Sequence, residues 1–149
     1  MSIAETQQSV ERYVDQHGLL DWLGATVEQV ESGRVRLAVD FDERLASPAS
    51  EDGGYLNSGT VCTLVDAAST TAVRTIFDST DELSVSPTNA NVSYLRPATD
   101  DIYVEAEVVR AGGAVGVTQC TVATVPPDSG RQVVAIATTT FRLFRGPTG

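Results

Sequence analysis

Asn57-Ser58-Gly59-Thr60-Val61-Cys62-Thr63-Leu64-Val65-Asp66-Ala67-Ala68-Ser69-Thr70-Thr71-Ala72-Val73-Arg74-Thr75-Ile76-Phe77 is the stretch on which the fold turns. Val61, Leu64, Val65, Ala68, Ala72 and Ile76 recur at helical spacing, so Asn57 to Phe77 reads as one long helix with an apolar stripe. Asn57 or Ser58 supplies an N-cap oxygen. Away from the stripe stand Gly59, Cys62, Thr63, Ser69 and Thr70, small or polar but uncharged. A helix with no Lys or Glu on its outer side is expected to be covered nearly all round.

The flanking sequence supplies the cover. Ser2 to Asp15 fits a modest amphipathic helix that Gly18 ends, followed by a short apolar helical turn at Leu19 to Leu23. Ala25 to Val30 and Arg34 to Phe41 read as a hairpin around Glu31-Ser32-Gly33-Arg34. In its second arm Val35, Leu37, Val39 and Phe41 share one face. Asp42 to Leu56, with Pro48, Gly53 and Gly54, reads as a loop. Four further strands are expected at Val85–Leu95, Ile102–Arg110, Val115–Val125 and Gln132–Phe144. Links of hairpin length make most of the pairings antiparallel. The predicted fold is α+β: one domain over residues 1–149, with an N-terminal helix in 1–18 and a curled antiparallel sheet wrapped around the long helix.

Composition bounds the function. The chain has 149 residues, 42% hydrophobic, which suits one packed domain. Ten arginines face twenty acids, lysine is absent, and the net charge is -10. That excludes a basic nucleic-acid footprint and disfavours an anionic membrane surface. No apolar run is long enough to span a bilayer, and Met1 to Gln8 lacks the form of a secretory signal, so a cytoplasmic protein is expected. Cys62 and Cys120 form no metal spacing and read as reduced, buried thiols. With a single histidine, His17, near a helix end, a zinc site or a Ser-His-Asp triad has little material, and no metal is expected. The acidic, lysine-free balance fits either a GC-rich genome or a salt-loving host, and a halophilic protein is the reading expected.

Asp66 is the anomaly. Asp is a poor helix-interior residue. Its helical neighbours Cys62, Thr63, Ser69 and Thr70 carry no positive charge, and Arg74 is two turns away. On a covered helix its carboxyl must find hydrogen-bond donors, lose its charge, or face a wet cleft. A purely structural carboxylate and a catalytic one both remain open on residue type alone. The helix start, Leu56 to Thr60, adds open N–H groups that suit an oxyanion or a polarised carbonyl. Asp66 lies about two turns further on, within reach of a substrate lying along the helix. Donors at one point and a carboxylate at another make a geometry for acyl transfer or hydrolysis.

Asn57 to Ala68 resembles the central-helix signature of hotdog-fold acyl-CoA thioesterases of the phenylacetate-degradation (PaaI-like) type. That signature runs His-Gly-Gly, a short apolar stretch, then Leu-hydrophobic-Asp. Asn91-Val92-Ser93-Tyr94-Leu95-Arg96-Pro97-Ala98 resembles the strand that follows it in the family. The resemblance implies a hotdog fold, a homodimer or dimer-built tetramer, and a site at the subunit interface. It implies an acyl-CoA-type thioester as substrate, with no cofactor beyond the CoA carried by that substrate. Asp66 would activate water or attack the carbonyl, and the Ser58 backbone N–H would polarise the carbonyl oxygen, flanked by Asn57 and Gly59. Thr88 and Asn89 stand where a Ser or Thr often helps to hold the water. Arg96 and Arg110 are candidate phosphate contacts, and Thr70, one turn beyond Asp66, completes the candidate set. Three positions depart from the pattern. Asn57 replaces the His, no Asn precedes the triplet, and Ala114 follows Gly113 where a basic residue is usual. A hotdog protein that binds an acyl ligand without turnover, or serves as a scaffold, is the alternative from another class.

Overall fold

The computed structural model describes residues 2–47, 54–77 and 84–144. Helix α1 spans Ile3–Gln16 and α2 Gly18–Leu23. Strands β1 (Thr26–Glu31) and β2 (Arg34–Val39) follow, then a single 3-10 turn at Glu43–Leu45. Helix α3 runs Ser58–Arg74, and β3 Ser84–Tyr94, β4 Ile102–Ala111, β5 Val115–Thr124 and β6 Gln132–Phe144 complete the chain. The strands form one sheet in the order β1-β2-β4-β5-β6-β3, with every neighbouring pair antiparallel.

Ser2 opens α1 through a reciprocal capping box with Glu5. The expected stop at Gly18 is not how α1 ends. His17 in an extended conformation breaks it, and Gly18 starts α2. The left-handed glycine is Gly24, whose N–H reaches back to the α2 carbonyls. Gly33, also at positive φ, turns the β1–β2 hairpin.

The period-2 pattern of β2 puts Val35, Leu37 and Val39 on the inner face, all essentially inaccessible to water. Across the register Val104 and Ala106 of β4 continue that face, and Val122 and Ala135 extend it over β5 and β6. The face closes on Val61, Leu64, Val65, Ala68 and Ala72 of α3. Each such large aliphatic side chain contributes about 1.5–3 kcal/mol on burial. Ile76, placed in the stripe by periodicity, lies beyond the end of α3 and is exposed. The outer face of the sheet carries the ion pairs Arg34–Glu107 and Arg36–Glu105.

The cover over α3 is less complete than its composition suggests. Ser58, Gly59 and Asp66 are exposed and Cys62 and Thr63 half-buried, an open strip along the first half of the helix. Beyond Asp66 the residues Ala67 to Val73 are all buried. Cys120 meets the expectation of a buried thiol, hydrogen-bonded to Ser69 at 3.0 Å, whereas Cys62 is only partly buried. No helix among the described residues is long and apolar enough to cross a membrane.

Candidate active site

The start of α3 is built by Asn57. Its side-chain Oδ1 accepts the Gly59 N–H at 2.8 Å, and its carbonyl accepts the Thr60 N–H at 2.9 Å. Its own N–H donates to Leu45, and the Leu56 N–H donates to Ala98, so the approach to the helix is tied to two loops. A Cβ on residue 59 would stand 3.0 Å from Asn57 Oδ1, which is why a glycine follows Ser58 there. Among the described residues the Ser58 N–H has no acceptor. Ser58 is thus the one donor of the first turn left open while its neighbours are spent.

Ser58 borders a cavity of about 390 Å3 lined by Tyr55, Leu56, Ser58, Val61, Tyr94, Leu95, Arg96, Pro97, Ala98 and Val134. Its walls are mainly apolar and aromatic, with few polar groups, the ordinary composition of a small-molecule site. Arg96 lies on this wall, and among the described residues it forms no ion pair with a carboxylate. The Tyr94 hydroxyl, from the end of β3, donates to the Ser58 carbonyl at 3.1 Å.

Asp66 stands eight residues along α3 from Ser58, about 12 Å along the axis. The two therefore do not meet one carbonyl within a single chain. Asp66 touches water, yet enough protein crowds its carboxyl to weaken its hydration. That desolvation raises its pKa above the ordinary aspartate value, and the charge of nearby His17 opposes the rise.

The structure adds neighbours that sequence spacing did not indicate. Tyr13 and His17 of the N-terminal region stack with ring centroids 5.6 Å apart. Burial raises the Tyr13 pKa first, the Asp66 charge raises it further, and Arg74 counteracts. His17, read from sequence as an ordinary surface residue at a helix end, is thus an electrostatic neighbour of Asp66.

The remaining candidates separate. Ser58 and Arg96 come together at the cavity, whereas Asn57 and Gly59 flank Ser58 in the chain without lining it. Thr70 is buried, one turn past Asp66. Thr88 donates to the Thr140 carbonyl at 3.2 Å, across a β-bulge between Pro87 and Asn89. After the bulge Asn89 pairs with Thr140 and shares the outer face with Asn91, Ser93 and Ile136, so it is turned away from α3. Arg110 lies at the end of β4 opposite Val117, beside the C-terminal end of α3, where Val73 approaches Gly116. Within one chain it is about a helix length from the cavity. Glu51, Asp52 and Gly53 of the preceding loop lie outside the described residues, as does Arg145.

Comparison with known proteins bears on this geometry. Residues 53–130 match the family model described as the thioesterase superfamily. A Halobacterium salinarum protein, provisionally assigned as an esterase, is 38% identical over 138 residues, 91% of either chain. A crystal structure of a thioesterase family protein from Silicibacter pomeroyi is 26% identical and superposes with a TM-score of 0.83, covering 95% of this chain and 99% of that one. The Escherichia coli PaaI protein, from the phenylacetic acid degradation operon, superposes with a TM-score of 0.79 over 97% of this chain and 96% of its own. At 15% identity that last likeness speaks for the fold alone.

Proposed function

The chain belongs to the thioesterase superfamily as a hotdog-fold, PaaI-like member, and from that premise we propose that it hydrolyses an acyl-CoA-type thioester at a site completed between two copies of itself. The observation that carries this reading is Ser58, a lining residue of an apolar cavity whose N–H has no acceptor among the described residues. A backbone donor fixed at a helix start is preorganised for the oxygen of a carbonyl that becomes tetrahedral.

The chemistry needs a base as well. If Asp66 attacks the thioester carbon itself, the thiolate leaves, a mixed anhydride remains, and water hydrolyses it to the free acid, restoring the carboxylate and supplying the thiolate's proton. In the general-base route Asp66 takes a proton from water as the water oxygen adds to that carbon. Charge then develops on the carbonyl oxygen and is met by Ser58 N–H. Collapse breaks the C–S bond, and the proton held by Asp66 goes to the departing thiolate, leaving the free acid and the thiol. A raised pKa makes Asp66 a stronger base than an ordinary aspartate.

Both groups must stand about 3 Å from the reacting atoms, and in one chain they are about 12 Å apart along the helix. A second copy supplies the missing half. Two features support a homodimer. The sheet ends at β3, an eleven-residue edge strand exposed along most of its length. The open strip of α3 lies beside that edge, where Tyr94 of β3 already touches Ser58. Arg96, without a carboxylate partner among the described residues, is positioned to meet a phosphate or carboxylate of the substrate.

Asp66→Asn tests the assignment. It should abolish turnover of a panel of acyl-CoA thioesters while leaving the oligomer intact. Turnover at the wild-type rate would remove the assignment. One observation favours a non-catalytic acyl-binding protein instead: the Asn57 side-chain oxygen is spent on capping α3. Calorimetry with a non-hydrolysable acyl-CoA beside the turnover assay separates the two, since binding without turnover supports the second.

A further inference from the structure

The Ser58 N–H lies in the peptide plane before Ser58, and the plane after it, joined at the Ser58 Cα, constrains how that first plane sits at the helix start. The plane before Ser58 is held by the Thr60 N–H on the Asn57 carbonyl at 2.9 Å. The plane after it is held at its nitrogen by the Asn57 side chain, at 2.8 Å. Its oxygen, the Ser58 carbonyl, receives the Tyr94 hydroxyl at 3.1 Å. Of these restraints only the last comes from outside the helix start, and it ties α3 to the end of the edge strand β3.

We propose that Tyr94 is a positioning residue for the oxyanion donor: its hydroxyl holds Ser58 so that the open N–H faces the cavity, while its ring forms part of the cavity wall. The inference rests on the hydrolase reading given above and adds a residue to which that reading gave no role. The hydroxyl suits the task because it keeps its proton. Burial is the main cause that raises the Tyr94 pKa above the ordinary tyrosine value, and neighbouring Cys62 adds to it. Tyr94 therefore donates throughout the pH range in which a thioesterase is assayed and introduces no titration of its own. The two parts of the side chain have separable duties, the ring shaping the substrate's surroundings and the hydroxyl aiming a donor.

Tyr94→Phe removes the hydroxyl and leaves the ring. On any thioester that the wild-type chain hydrolyses, kcat should fall by roughly five- to fiftyfold, since a mispositioned donor loses transition-state contacts that the ground state does not need. KM should stay within about twofold, and the kcat–pH profile should keep its shape at lower height. Tyr94→Leu, which also removes the wall, should raise KM in addition. A purely structural tether would lower the thermal midpoint of Tyr94→Phe and leave kcat alone, and that result overturns the inference. So does a change confined to KM. A wild-type chain that hydrolyses nothing on the panel overturns the hydrolase reading and this inference together, which distinguishes that failure from an unchanged kcat in an active enzyme.

Discussion

Asp66 carries a cost that its proposed role explains. Its folded-state pKa is raised by desolvation, so the native chain binds that proton more tightly than the unfolded one. Above the raised pKa the charged carboxyl therefore subtracts from stability, and the loss is recovered as pH falls through that pKa toward the unfolded value. Asn at this position carries no charge, so Asp66→Asn should melt no lower than wild type at neutral pH while losing turnover. A midpoint lower by more than about 3 °C would contradict this account of the desolvated carboxyl. The rate has the opposite demand, since it needs the charged form. The acid limb of kcat/KM should accordingly lie above the ordinary aspartate range. A positive charge on His17 opposes the desolvation that raises the Asp66 pKa. His17→Ala removes that charge wherever the imidazole is protonated, so the acid limb should move to still higher pH, with Tyr13 and Arg74 left in place. Superimposable limbs for wild type and His17→Ala would show that His17 does not act on the reacting carboxyl.

At the scale of the helix, Asn57, which stands at the His position of the signature that the sequence resembles, does structural work. Asn57 caps α3 through the Gly59 N–H, and removing such a cap costs about 1 kcal/mol. Asn57→Ala should lose that much in urea denaturation, and Asn57→Asp, which keeps the acceptor and adds a charge favourable at a helix start, should not. Equal losses would mean that the side-chain oxygen is not the source of the stability. The existence of α3 was legible because its apolar residues repeat every three to four positions, and the strands because β2 and β4 alternate. Asn57 as the cap was legible for the same local reason. What was not legible depends on distant contacts. Gly18 and Gly24 look alike in sequence, and only packing decides which adopts the left-handed conformation. A one-residue bulge reverses the facing of the chain beyond Pro87, which sends Asn89 outward although it neighbours Thr88. Tyr94 and Ser58 meet across 36 residues, and no spacing rule connects His17 to Asp66. The open strip on α3 escaped for a different reason: an uncharged helix face reads as covered whether its cover comes from its own sheet or from a second copy.

For the whole molecule the decisive quantity is charge. Twenty acids face ten arginines, and among the described residues three arginines (Arg34, Arg36 and Arg44) are engaged with carboxylates of the same chain. The acids left over repel one another at low ionic strength, and the proposed dimer would bring two such surfaces together. Salt shortens the range of that repulsion, from about 8 Å near physiological ionic strength to about 3 Å at 1 M. It also weakens the surface ion pairs, but exposed pairs contribute at most about 1 kcal/mol each, so the repulsive sum is the larger of the two. Multimolar KCl should therefore raise the thermal midpoint by several degrees and favour the dimer, measured by calorimetry and sedimentation across a KCl series. A midpoint independent of salt would mean that the acidic excess is spread too thinly to oppose folding, and the lysine-free composition would then speak for codon usage rather than for a salt-adapted surface.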